Sequence, residues 1–220
     1  MNCKNDNFTA KYIGMPEFSS TLNSLIPETH VCVWKIDEPM EFFEQIPTHW
    51  PNINSQNPIK RIESLAARYC LYELCSRLGL LDVVLQQDER GRPYLLNSDW
   101  KISLTHAYPY VAAACSYQKD VGIDIEKKGR KIEKIAPRFL NTNELDNRAD
   151  NHMALTLAWS IKESIYKAAN IPGLSFKNSI ALDQHTEETE GNAILLQGEK
   201  TIKYYWEDLD DFVISMARMG

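Results

Sequence analysis

The sequence predicts an α+β fold in two halves, each holding one long helix beside several short strands. Three observations carry this. Between Pro58 and Leu78 the apolar positions Ile62, Leu65, Ala66, Tyr69, Leu74 and Leu78 recur at helical spacing, and Gly79 supplies the stop. A second long helix is expected from about Asp150 to Ala169. Around both lie short apolar runs bounded by turn residues, the pattern of strands. The chain has 220 residues, enough for one large domain or two small ones. The division is expected as 1–118 and 119–220, although no internal repeat can be aligned.

Each element has its own signal. Residues 1–30 are polar and rich in Asn, Ser and Thr, which suggests an irregular leader wrapped on the surface. Val31 to Ile36 forms a short strand, and Pro39 opens a brief helix ending before Pro47. After the first long helix, strands are expected at Val83 to Leu85, Tyr94 to Leu96, Lys101 to Leu104 and Tyr110 to Ser116, with Asp88 to Pro93 a tight turn. The second half opens on a strand at Val121 to Glu126, followed by a connector helix from about Ile132 to Leu140, bent or split at Pro137. Strands near Phe176 to Leu182, Ala193 to Leu196, Lys200 to Trp206 and Phe212 to Ala217 complete the chain.

Composition narrows the function. A net charge of −6 argues against a general nucleic-acid binder, whose affinity would rest on neutralising phosphates. Met1 to Asp6 lacks the apolar run of a secretion signal, and the longest apolar stretch, around Val111 to Cys115, is too short to cross a bilayer. A cytoplasmic protein without membrane contact is expected. The five cysteines show no Cys-x-x-Cys spacing, so buried reduced thiols are expected rather than a disulfide framework or zinc site.

Two short strings carry the chemistry. Val121-Gly122-Ile123-Asp124-Ile125-Glu126 is strand-like, and alternation puts Asp124 and Glu126 on one face, about 7 Å apart at the backbone. They can converge on one ion. Trp159-Ser160-Ile161-Lys162-Glu163-Ser164-Ile165-Tyr166-Lys167 is helix-like, with Trp159, Glu163 and Lys167 on one face and Lys162 beside it. Each string alone is ordinary, since a Glu-to-Lys pair at this spacing adds about 0.2–0.5 kcal/mol to an exposed helix without any function. Were the two strings to form one site, their three carboxylates would repel one another and push at least one toward its protonated form, so such a cluster would imply a cation.

Together the two strings resemble the signature of the phosphopantetheinyl transferases, which load acyl or peptidyl carrier proteins with the arm of coenzyme A. At this length the chain is similar to the single-chain surfactin-synthetase and enterobactin type. The resemblance implies two similar α/β subdomains related by a pseudo-twofold, an active site in the cleft between them, and a monomer. It implies Mg2+ held by Asp124, Glu126 and Glu163, with Lys162 and Lys167 on the diphosphate of coenzyme A; Glu163 is placed to accept the proton of the carrier serine, directly or through a metal-bound water, and Asp124 or the water could serve instead. Ser103-Leu104-Thr105-His106 resembles the family's Ser-x-Ser-His motif, which would put Thr105 and His106 on a coenzyme A phosphate; Ala107 lacks the hydroxyl that many members place after the histidine. The segment from Lys60 to Arg68 is similar to the family's basic helix, assigning Arg61 and Arg68 to the nucleotide end. Gly91-Arg92-Pro93 resembles its Gly-Lys-Pro turn, with Arg92 in place of lysine. Carrier proteins of this kind are generally acidic, so the run Lys127, Lys128, Arg130, Lys131, Lys134 and Arg138 is expected to form the carrier dock.

Two other classes share part of this pattern. A magnesium-dependent phosphohydrolase or nuclease could use Asp-x-Glu with a distant Glu, but a nuclease needs a basic groove that the acidic composition does not suggest. A non-catalytic carrier-protein binder would not need all three carboxylates and both lysines.

Overall fold

The computed structural model describes residues 28–183 and 189–220. The leader expected for residues 1–30 therefore lies almost wholly outside the described residues, as does His185.

In the first half, strand β1 (Thr29–Lys35) leads through the short helix α1 (Met40–Phe43) to the long helix α2 (Pro58–Arg77). Asn57 caps α2 by accepting from Lys60 N, and Pro58 occupies the first turn, where no amide partner is lost. A hairpin of β2 (Leu85–Gln87) and β3 (Pro93–Leu95) follows, then β4 (Trp100–Ala107) and β5 (Tyr110–Tyr117). The sheet order β1-β5-β4 is antiparallel, with Cys32 opposite Ala113. The second half runs β6 (Val121–Lys127), α3 (Ala136–Phe139), α4 (Thr142–Asp146), α5 (His152–Ala169), α6 (Phe176–Ser179), β7 (Ile180–Leu182), β8 (Glu190–Leu195), β9 (Lys200–Leu209) and β10 (Phe212–Arg218). Its strands order as β6-β10-β9-β8-β7. In both halves the first strand leads to the long helix, and the last strand returns to pair with the first.

Alternation along the strands makes four layers. In β1, Cys32 and Trp34 join α2 in one core, while Val31 and Val33 join Ile123, Ile125 and Ile214 in a second core between the sheets. The far face of the second sheet packs on Leu155, Ala158, Ile161 and Ile165 of α5. The order is therefore helix, sheet, sheet, helix. Where the sheets' edges adjoin, the Ser103 hydroxyl of β4 accepts from Ile123 N at 3.1 Å and Thr105 Oγ1 accepts from Ile125 N at 3.2 Å.

Two local expectations are corrected, and one short helix is additional. The segment expected as a strand from Phe176 to Leu182 begins as a helical turn, because the Ser175 side chain accepts from Asn178 N and caps it; only Ile180–Leu182 is strand. Pro137 does not bend a connector helix but sits in the first turn of the short α3, where proline is tolerated. Helix α4 was not expected, although Asn141 and Glu144 form a reciprocal capping box at its start.

Candidate active site

Strand β6 and helix α5 touch at a glycine. A Cβ built on Gly122 would fall 1.9 Å from Ser164 O and 2.7 Å from Ala168 N, so only glycine lets the helix backbone approach this closely. The approach brings the two strings together. Lys167 Nζ donates to Ile123 O at 2.9 Å and to Asp124 Oδ1 at 2.7 Å, and Trp159 Nε1 donates to Glu126 Oε1 at 2.7 Å. Glu163 lies between Trp159 and Lys167 on the same helix face, close enough to both acids of β6 to feel their charge.

The electrostatics follow from this crowding. Burial, then Asp124, push the Glu163 carboxyl up to about 7, with Lys167 opposing. Glu126 is raised as well, by burial and then Asp124, against the pull of Arg130. Arg130 was expected in the carrier dock; instead its guanidinium is paired with Glu126 Oε2. Asp124 Oδ1 also accepts from Thr105 Oγ1 at 3.3 Å, while Asp124 Oδ2 is buried without a hydrogen-bond partner.

The other residues expected in the site divide. Lys162 does not reach it: the side chain is fully buried, with the ammonium on Glu144 Oε2 at 2.7 Å and on the carbonyls of Phe139, Phe176 and Ile180. Every proton of the ammonium is engaged, so the expected contact with a diphosphate is replaced by a structural one. Thr105 is likewise occupied, bridging β4 to Ile125 N and Asp124, so its hydroxyl is not left for a phosphate. Arg61 and Arg68 differ in their partners. Arg61 Nη2 reaches out to Glu44 at 2.9 Å, whereas Arg68 Nη1 turns back to Ser64 O of its own helix.

Residues 120–217 match the family model of the 4'-phosphopantetheinyl transferase superfamily. The chain is 29% identical to 4'-phosphopantetheinyl transferase gsp of Aneurinibacillus migulanus over 66% of its own length and 70% of that protein. It is 27% identical to enterobactin synthase component D of Salmonella typhimurium, covering 77% of this chain and 76% of the relative. The chain is thus similar to the 4'-phosphopantetheinyl transferases over its second half by the family model and over most of its length by these two relatives. Further charged groups lie around the cluster. His106 Nδ1 lies 3.4 Å from Glu63 Oε2 of α2, and Glu63 Oε1 accepts from Tyr108 N at 2.8 Å, a contact that sequence reasoning did not foresee. Arg92 Nη2 reaches Asp120 Oδ1 at 3.4 Å. Beside Lys167, a cleft of about 210 Å3 opens between Arg90, Arg92 and Leu104 of the first half and Tyr166 and Asn170 of the second.

The donor set suits a hard cation. Three carboxylates offer oxygen ligands, and the buried Asp124 Oδ2 has no hydrogen-bond partner. As the side chains stand, no group of three His, Cys, Asp or Glu among the described residues is arranged to hold a metal ion. Two cations of the chain itself, Lys167 and Arg130, pair with Asp124 and Glu126.

Proposed function

We propose that this chain transfers the phosphopantetheine arm of coenzyme A to a serine of an apo acyl or peptidyl carrier protein and releases adenosine bisphosphate. The observation that carries this reading is the meeting of Asp124, Glu126, Glu163 and Lys167 between β6 and α5. The match of residues 120–217 to the superfamily's family model and the names of the two relatives support it.

The serine oxygen forms a bond to the phosphorus bearing pantetheine, the bond from that phosphorus to the departing adenosine bisphosphate breaks, and the serine proton must be taken up. Glu163, held near neutrality, is suited to accept it. Lys167 is partly exposed beside the cleft and supplies positive charge to a diphosphate oxygen. Asp124, Glu126 and Glu163 would hold the magnesium ion, which when bound contributes charge stabilisation on the phosphates. Arg61, Arg92 and His106 would grip phosphates that do not react. In the basic run, Lys128 is paired with Asp208, Lys127 lies over the Phe212 ring and Arg130 is on Glu126, leaving the exposed Lys131, Lys134 and Arg138 as the carrier dock of this reading. The enzyme would act as a cytoplasmic monomer whose two halves are related by a pseudo-twofold.

The test is incubation with coenzyme A, magnesium and an apo carrier, read by intact mass. Gain of one phosphopantetheine is expected, and Asp124→Ala or Glu163→Ala should each lower the rate by roughly 10³-fold or more. A phosphohydrolase would consume coenzyme A without loading the carrier, and a binder would change neither.

A further inference from the structure

We propose that Arg130 is a resident counter-cation that a divalent ion must displace from Glu126. This rests on the functional reading above, because it takes β6 and α5 as the place where the ion binds.

The observations concern the two oxygens of one buried carboxylate. Glu126 Oε1 is fixed by Trp159 Nε1 at 2.7 Å, and its other oxygen, Oε2, is covered by the Arg130 guanidinium. A buried carboxylate beside Asp124 is costly without a positive neighbour, and Arg130 provides one. The two partners are unequal. The side chain of Glu126 is 12% exposed and that of Arg130 is 53% exposed, so the arginine is the one free to leave. Arg130 follows Gly129, whose φ of 76° turns the chain out of β6, and it stands in an irregular stretch rather than a helix. Departure therefore needs a change of side-chain rotamer and no melting of structure.

Lys167 on Asp124 is a different kind of cation. It is only 28% exposed, is also held by Ile123 O, and leaves Asp124 Oδ2 open. Asp124 can thus accept an ion while keeping Lys167, whereas Glu126 cannot offer Oε2 while Arg130 covers it. With Arg130 and Lys167 in place, the three acids are not arranged to hold an ion.

The experiment is titration calorimetry of magnesium chloride into the full chain at pH 8 and low salt. Wild type is compared with Arg130→Gln, with Lys131→Gln as a variant that loses the same charge one residue away, and with Asp124→Asn. Arg130→Gln should bind magnesium about tenfold more tightly than wild type, Lys131→Gln should stay within about twofold, and Asp124→Asn should lose the site. Equal affinities in wild type and Arg130→Gln, an effect no larger than that of Lys131→Gln, or no magnesium binding by any of the proteins would overturn the displacement. The carrier-loading assay on wild type separates the two claims. Loading without tightening in Arg130→Gln refutes the displacement alone, and tightening without loading refutes the transferase reading alone.

Discussion

The strand–helix pairs β1/α2 and β6/α5 occupy the same place in their halves but are packed by opposite chemistry. On β1, Cys32 and Trp34 face α2, where Trp34 meets the Tyr69 ring edge-on and Cys70 Sγ donates to Cys32 O. On β6, the residues facing the helix are Gly122, Asp124 and Glu126, met by Lys167 and Trp159. One interface is stabilised by burying apolar area, about 25 cal/mol for each Å2. The other gives up that area for a glycine and charged groups. A fold that tolerates three acids between a strand and its helix must recover the stability elsewhere, and the fully apolar pair in the first half is one such source.

The largest effect expected from breaking this contrast is at Lys162. On the side of α5 away from the acids, its ammonium ties Glu144 of α4 to the carbonyls at Phe139, Phe176 and Ile180. Burial pushes the Lys162 pKa down, and Glu144 opposes that shift. Lys162→Ala should cost about 3–5 kcal/mol, since it leaves the buried Glu144 without its cation. Urea unfolding measures this. A loss below about 1 kcal/mol would mean that the cage is dispensable and would reopen a role for Lys162 in substrate binding.

Gly122→Ala should come next, at about 3 kcal/mol or more, because the new methyl meets backbone atoms of α5 that have no flexible end to move. Thermal unfolding should show the loss. If the variant were as stable as wild type, the close approach of β6 and α5 could not be what positions Lys167.

Both residues show how far the sequence could be read. Alternation in β6 placed Asp124 and Glu126 on one face, and four-residue spacing placed Trp159, Glu163 and Lys167 on another, because these periods are local properties of the backbone. Lys162 adjoins Glu163 in sequence but turns to the opposite side of the helix. Ala158, Lys162 and Ile165 lie within the apolar stripe of the helix, a signal that was present but overridden by its charge. The role of Thr105 depends on which strand lies opposite, and no local pattern encodes that; Arg130 is only four residues from Glu126, but outside a helix that spacing does not predict a pair. The Asn141/Glu144 capping box is a local signal of a helix start that four-residue apolar spacing does not reveal in so short a helix.

A smaller effect should appear in the pH dependence of stability. Glu163 has an ordinary value of 4.5 and is pushed up to about 7 by burial and Asp124, so the folded protein holds a proton that the unfolded chain releases. This contribution to stability is complete below about pH 4.5 and is lost as the pH rises through about 7. Glu163→Gln keeps the neutral shape and lacks the slope. It should match wild type near pH 4 and exceed it by on the order of 2 kcal/mol at pH 8 without metal. Parallel stability profiles for the two proteins would show that the acids do not crowd one another.

The smallest expected effect on stability is at Arg61, and it sharpens the contrast between the halves. The polar groups of α2 lie away from β1: Arg61 pairs with Glu44 at 2.9 Å, with side chains 46% and 45% exposed. An exposed pair of this kind contributes under about 0.5 kcal/mol, so Arg61→Ala should unfold at nearly the wild-type denaturant concentration. Under the proposed function it should still raise KM for coenzyme A by roughly fivefold to tenfold with kcat retained, because a grip on an unreactive phosphate is the same in ground and transition states. Steady-state kinetics at saturating carrier separate the outcomes. A fall in kcat at constant KM would place Arg61 among the groups that act on the reacting phosphorus, and the first half could no longer be regarded as the side that only binds.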